Sequence, residues 1–369
     1  MDNQTPHGGQ VYRLARRLNW PTSHIMDFSA NINPLGPPSS ILTALASALD
    51  SLRYYPDTGH HETKTVLARR LECAPANLLI GNGAAELIDM VIRYRNPHRV
   101  LVLDPAFGEY RAAANRNRVP VLSIPLSEDL FETPWQDLLA IARAGDLVIW
   151  NNPHNPSGCC FSRQTFEDPI RSLTERGVYL MIDESFIDFV HDQEDISALA
   201  LATGPGSLVT VIRSLTKYYA IPGLRMGYAI ADRDWIQHVE SRRDGWSVNQ
   251  LAQVAANVGL LDHDYAASTA AWLRQSQSQI ETLWPISPQY IRYPSHVNFF
   301  LLRWHHEKTS RQLSEALENQ GILVRRADEF VGLGPRYWRL AIRSLDDNER
   351  LYQAVQALLP HVGVHPNTE

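Results

Sequence analysis

The sequence predicts an α/β protein: a large domain built on a mostly parallel sheet covered by helices, joined to a smaller α+β domain. Three observations carry this. From about residue 54 to residue 232, short apolar runs alternate with helical patterns, the rhythm of successive β-α-β units. After residue 246 a long helical stretch leads into strands and helices that no longer alternate in this way. The chain has 369 residues and is 44% hydrophobic, too long for one small core and sufficient for two. The expected division is an N-terminal arm with part of the small domain over residues 1–45, the large domain over 46–250, and the C-terminal small domain over 251–369.

In chain order, the apolar runs at 78–80, 99–103, 119–124, 147–150, 178–182, 208–212 and 226–230 read as strands of the large sheet. The stretch from Trp246 to Leu283 reads as helical. Strands near 297–302, 322–325 and 338–342, with helices near 310–320 and 347–359, complete the small domain.

Four of the large-sheet strands run into segments with chemical content. The first passes through Gly81-Asn82-Gly83 into a helix, so the amides of Gly83, Ala84 and Ala85 would face an anion. A lone glycine turn of this kind is weak evidence. The run at 147–150 enters Asn152-Pro153-His154-Asn155-Pro156-Ser157-Gly158, where two prolines stiffen the loop and can fix the Asn155 amide. An ordinary turn would explain part of that string, though not its whole length. The run at 178–182 ends in Asp183-Glu184, and strand ends are where open α/β sheets hold ligands. By itself Asp183 reads equally well as a helix cap. The run at 208–212 leads to Arg213-Ser214-Leu215-Thr216-Lys217, followed eight positions later by Arg225.

An amine flanked by hydroxyls and followed by a fixed cation suits an aldehyde that carries a phosphate. Burial and a neighbouring cation such as Arg225 would lower the amine's pKa and make it a nucleophile. Ser214, Thr216 and Arg225 can bind phosphate oxygens. An isolated S-x-x-K would read as a surface lysine. The order of glycine turn, Asn loop, Asp strand, lysine and arginine points instead to pyridoxal 5′-phosphate as the cofactor.

These motifs resemble those of the fold-type I pyridoxal-phosphate enzymes of the aminotransferase group. Within that group the chain is most similar to the threonine-phosphate decarboxylases, with histidinol-phosphate aminotransferases next. The likeness runs from His7-Gly8-Gly9 to about Arg343. It is most pointed in Asp27-Phe28-Ser29-Ala30-Asn31-Ile32-Asn33-Pro34-Leu35-Gly36, Tyr219-Ala220-Ile221-Pro222-Gly223-Leu224-Arg225, Trp246-Ser247-Val248-Asn249 and Ala341-Ile342-Arg343-Ser344. The resemblance implies that Lys217 forms the imine, Asp183 pairs with the pyridinium, and Asn155 meets the ring hydroxyl and borders the substrate. Phe107 matches the aromatic that stacks on the ring, with Tyr110 as the second choice. The cofactor phosphate falls to Gly83, Ala84, Ser214, Thr216 and Arg225, with Tyr55 reaching in from a second subunit of a homodimer. Arg343 matches the arginine for the substrate carboxylate, and His7, Asn31 and Arg325 stand toward the substrate phosphate. Ser185-Phe186 replaces the usual Ala-Phe or Ala-Tyr, so one tyrosine contact to the ring oxygen is missing. Ala84-Ala85 leaves phosphate binding to backbone donors. The implied reaction is loss of carbon dioxide from L-threonine O-3-phosphate to give (R)-1-amino-2-propanol O-2-phosphate for the cobamide nucleotide loop, with L-serine O-phosphate as a variant.

The composition narrows the alternatives. A net charge of −6 leaves no basic excess for a nucleic-acid polymer or an anionic membrane. Cys73, Cys159 and Cys160 show no C-x-x-C spacing, which suits a reducing cytoplasm. His60-His61 and His305-His306 lack the i, i+4 spacing of a zinc site, so no metal is expected. Residues 2–17 show no apolar signal-peptide core, and no run reaches the ~20 apolar residues that span a bilayer, so a soluble, unprocessed cytoplasmic enzyme is expected. Three other readings compete, one of them a catalytically silent partner-binding protein on the same scaffold, against which the intact Lys217 and Asp183 weigh. A histidinol-phosphate aminotransferase would share the cofactor but require 2-oxoglutarate. A serine acyl enzyme would use Ser214-Leu215-Thr216-Lys217, Ser247-Val248-Asn249 and Lys308-Thr309-Ser310, which leaves Asn155, Asp183 and Arg225 without roles.

Overall fold

The computed structural model describes residues 8–127, 129–305 and 308–359. Twelve strands form two sheets. The larger holds β2 (Leu78–Gly81), β3 (Val100–Asp104), β4 (Val121–Pro125), β5 (Leu147–Asn151), β6 (Tyr179–Asp183), β7 (Val209–Ser214) and β8 (Gly227–Ile230) in the order β2-β8-β7-β6-β5-β3-β4. Only β8 runs against its neighbours; the remaining pairs are parallel.

Both faces of this sheet are covered, which is why its strands read as unbroken apolar runs. Along β6, Leu180 and Ile182 pack with Phe166, Ile170 and Leu173 of the helix Arg163–Glu175. Met181 faces the other way, into a core with Leu87 and Val91 of the helix Ala84–Arg95 and Ala113 of the helix Glu109–Arg116. Asp183 continues that second face at the carboxyl end of the strand.

The smaller sheet has the order β1-β11-β12-β10-β9, with β1 (Met26–Phe28), β9 (Tyr290–Arg292), β10 (Phe299–Trp304), β11 (Ile322–Arg326) and β12 (Tyr337–Ala341). Its edge strand β1 pairs in parallel with β11, joining the chain's beginning to its end. Neither β1 nor β9 was expected from the sequence; each has three residues, too short for a period-2 pattern. The helical stretch expected through Leu283 is two helices, Gln250–Gly259 and His263–Leu283. Asp262 breaks it by capping the second, its carboxylate accepting from the Tyr265 amide at 2.8 Å. The strand expected from residue 119 starts at Val121, because Arg118 takes a left-handed φ of 58° before Pro120.

Candidate active site

A cavity of about 230 Å³ lies at the carboxyl ends of the parallel strands, between the two sheets. The strands aim the chemistry into it. Asp183 is the last residue of β6, and Ser214 ends β7, where one helical turn, Leu215–Tyr218, carries Lys217. Lys217, Asp183, Asn155, Arg225, Ala84 and Phe107 all line the cavity, as do Asn31 and Arg325.

The Lys217 amine donates to Ser214 Oγ at 3.2 Å and sits 5.8 Å from the centre of the Phe186 ring. Burial pushes its pKa from 10.5 down to about 8; Arg225 and Arg339 add to the shift and Asp183 opposes it. Asp183 is buried and held on both oxygens: Oδ1 accepts from the Ser185 amide at 2.9 Å and Oδ2 from the Tyr110 hydroxyl at 2.7 Å. Tyr110 is thus a partner of Asp183, and its ring meets Phe107 edge-on at 5.7 Å. Phe107 is the one of the two that lines the cavity.

The residues expected at the phosphate include Gly83 and Ala84 at the start of the helix Ala84–Arg95. Gly83 precedes it with φ 80°, and a Cβ there would collide with the Arg225 guanidinium. Arg225 itself takes a left-handed φ of 63°, an unusual conformation for a side-chain-bearing residue. Ser214 and Thr216 are buried beside it, their hydroxyls 2.8 Å apart. Tyr55 is elsewhere: it is 83% exposed and packs on Trp246 at 5.3 Å.

The arginine expected at the substrate carboxylate needs correction. Arg343 does not line the cavity; its Nε donates to Asp347 at 3.0 Å and its Nη1 to the Asp27 carbonyl at 3.1 Å. Four residues earlier, on β12, Arg339 does line the cavity, together with Arg225 and Arg325. Trp338 and Leu340 turn into the core, so period-2 alternation sends Arg339 to the opposite face. The sequence carried that signal: a single arginine inside an apolar strand has to point somewhere polar. Arg339 donates to Asn155 Oδ1 and to the Ser29 carbonyl, both at 2.8 Å. Burial first, and Arg325 second, hold its guanidinium below its ordinary pKa.

Several buried polar atoms at this cavity lack a protein partner: both side-chain atoms of Asn31, Ser185 Oγ and Arg339 Nε. Unpaired groups of this kind each cost on the order of 1–3 kcal/mol, which a polar ligand would recover. Gly8 lines the mouth, and the next residue is fixed there by the Gly9 amide donating to Ser29 Oγ at 2.8 Å. His7 lies outside the described residues.

The rival serine-enzyme grouping does not assemble. Ser247 donates to Glu86 and Lys308 to the Leu358 carbonyl, while Ser214 bonds Lys217 and Thr216.

A lysine of lowered pKa, a strand-end aspartate and an arginine beside a helix N-terminus, on this sheet order, define an enzyme site for an anionic aldehyde cofactor. The aminotransferase class I and II family matches residues 23–358, and the chain belongs to that family. It is 35% identical over 366 residues to the threonine-phosphate decarboxylase of Salmonella typhimurium, covering 98% of each chain. Among solved structures it is similar to the histidinol-phosphate aminotransferase of Clostridium acetobutylicum (TM-score 0.83, 27% identity, 90% of this chain and 99% of that one). It is likewise similar to the L-threonine-O-3-phosphate decarboxylase of Porphyromonas gingivalis (TM-score 0.79, 25% identity, 90% and 99%).

Proposed function

We propose that this protein is a pyridoxal-phosphate-dependent decarboxylase acting on L-threonine O-3-phosphate, with L-serine O-phosphate as a second substrate. The observation that carries the substrate class is the presence of Arg325 and Arg339 in the same cavity as the Lys217 amine. One molecule bearing an amine, a carboxylate and a phosphate would satisfy all three. We assign the carboxylate to Arg339, whose fork is already oriented by Asn155, and the phosphate to Arg325 with Asn31. The preference for carbon dioxide loss over amino transfer is supported by the 35% identity to a threonine-phosphate decarboxylase.

The residues present fit the cofactor. Gly83, Ala84, Ser214, Thr216 and Arg225 would hold its phosphate, Phe107 its ring face, and Asn155 its ring hydroxyl. When bound, it supplies an aldehyde for an imine and a ring that accepts the electron pair of a bond broken at Cα. Asp183, fixed by Tyr110 and Ser185, holds a proton at the ring nitrogen. Lys217 supplies the amine and afterwards the proton that Cα takes up. Arg339 and Arg325 grip the two ends of the substrate and so select which Cα bond stands upright on the ring.

The test is to give the holoenzyme phosphothreonine, phosphoserine and histidinol phosphate separately, with and without 2-oxoglutarate. Carbon dioxide without a keto acid supports the reading. Turnover confined to histidinol phosphate with 2-oxoglutarate would make the protein an aminotransferase instead.

We also infer a homodimer working in the cytoplasm. Leu42, Leu49, Leu52, Tyr54, Tyr55 and Trp246 are all exposed, a concentration of apolar side chains that a second copy would cover. Tyr55 would then reach the partner's cofactor phosphate. Among the described residues no helix is long and apolar enough to cross a membrane.

A further inference from the structure

Arg325 is already engaged. Its Nη1 pairs closely with Glu329 Oε2, and the other oxygen of that carboxylate takes Arg326 Nη2 at 3.1 Å. The Arg325 and Glu329 side chains are only 13% and 16% exposed, so this is a largely dry contact. Glu329 lines the 230 Å³ cavity together with Arg325 and Arg339. With Arg325 it also lines a neighbouring cavity of about 480 Å³, whose wall carries Arg13, Arg17, Arg311 and Arg326 beside Glu315 and Glu318, the last already paired with Arg13 and Arg17. Glu329 and Arg325 thus face both cavities. The next residue, Phe330, lies under both cavity arginines, 5.4 Å from the Arg325 guanidinium and 6.0 Å from that of Arg339. The segment continues through Gly332, at φ 90°, and Gly334, around both of which there is open space. Arg326 has a further anion, Asp328, at 3.9 Å.

We propose that Glu329 is a built-in counter-ion that occupies Arg325 until the substrate phosphate displaces it. The proposal rests on the assignment of Arg325 to the substrate phosphate. Three guanidinium groups packed this closely need an anion to stay buried in a free enzyme. A phosphate, carrying up to two charges and three oxygens, can outcompete a tethered carboxylate for the Arg325 fork. Glu329 keeps Arg326 after the exchange, so no cation is left unpaired.

The experiment is calorimetric titration of the holoenzyme with inorganic phosphate and, separately, acetate. In Glu329→Gln the competitor's charge is gone, so phosphate should bind about tenfold tighter, and acetate, which must displace the same carboxylate, should tighten as well. Glu329→Asp keeps a carboxylate and should return phosphate binding toward the wild-type value. If the glutamate merely braced Arg325, its removal would weaken phosphate binding or leave it unchanged, and either result overturns the proposal. Arg325→Gln separates the two readings. Weaker phosphate binding in that variant, with no tightening in Glu329→Gln, sinks the counter-ion alone. Unchanged phosphate binding in Arg325→Gln sinks the phosphate assignment and the counter-ion with it.

Discussion

A buried ammonium beside two guanidinium groups is unfavourable, and Lys217 answers by holding its proton only to about pH 8. Apoprotein mixed with pyridoxal phosphate should therefore develop its visible absorption with a half-maximal rate near pH 8, not near the lysine value of 10.5. The same shift has a stability signature. Between pH 8 and 10.5 the unfolded chain binds a proton that the folded chain does not, so stability rises with pH across that window. Denaturant titration of the apoprotein should show this slope, and Lys217→Met should remove it. Asp183 depends on Tyr110. Tyr110→Phe takes one hydrogen bond from a buried carboxylate, a loss of about 1–3 kcal/mol. Cofactor affinity, followed by absorbance titration, should weaken by roughly tenfold or more. The two arginines of the β12 region should part company. Arg339→Lys forfeits a planar fork and should lower kcat/KM by on the order of a hundredfold, whereas Arg343→Ala should lower the melting temperature with little change in KM.

Elements make these residues effective by fixing where they point. The helix Ala84–Arg95 begins at a glycine because the backbone needs φ 80° there and because the Arg225 guanidinium fills the space of a side chain. Gly83→Ala should accordingly speed cofactor dissociation, measured by dialysis and absorbance, by forcing Arg225 away from the helix start. Next to Asp183, Glu184 turns to the opposite face of the sheet, where Arg213 Nε meets it at 2.9 Å along with Ser197 and the Ala198 amide. This ion pair lies behind the site and ties β6 to β7. Breaking it with Arg213→Met leaves an uncompensated buried carboxylate and should cost about 3–5 kcal/mol, read as a shift in the urea midpoint.

For the molecule as a whole, the exposed Leu52, Tyr55 and Trp246 make a concrete prediction about assembly. Leu52→Glu places charge in the proposed interface and should convert a dimer to monomer by sedimentation velocity. Activity should fall with it, because Tyr55 does not line the cavity of its own chain. A fully active monomer would remove Tyr55 from the site. At this scale the sequence was readable in proportion to segment length. The strands of the large sheet announced themselves because burial on both faces makes a strand continuously apolar, as 178–182 is. The short strands β1 and β9 did not, since three residues show no pattern, and β1 in addition pairs far away in the chain, Asp27 with Leu323, 296 residues on.

The sequence by itself determined the cofactor chemistry. Lys217, Asp183, Asn155 and Arg225 each sit at the end of a strand or in a loop beside one, and a parallel sheet brings such ends together whatever the rest of the chain does. On the substrate side the tertiary structure decided which of the expected residues and which arginine of the β12 region enter the cavity. Arg339 rather than Arg343 enters the cavity because β12 ends at Ala341: Arg343 has the same parity but lies beyond the strand, where Asp347 and the Asp27 carbonyl hold it. Tyr110 serves Asp183 because a helix packed on β3 brings its hydroxyl to within 2.7 Å, a contact across 73 residues of sequence. Glu329 appears in the sequence as one more charge in a loop. Its partners Arg325 and Arg326 are only four and three residues away, but outside a helix that spacing fixes no contact, and only the folded loop brings the charges together at the cavity.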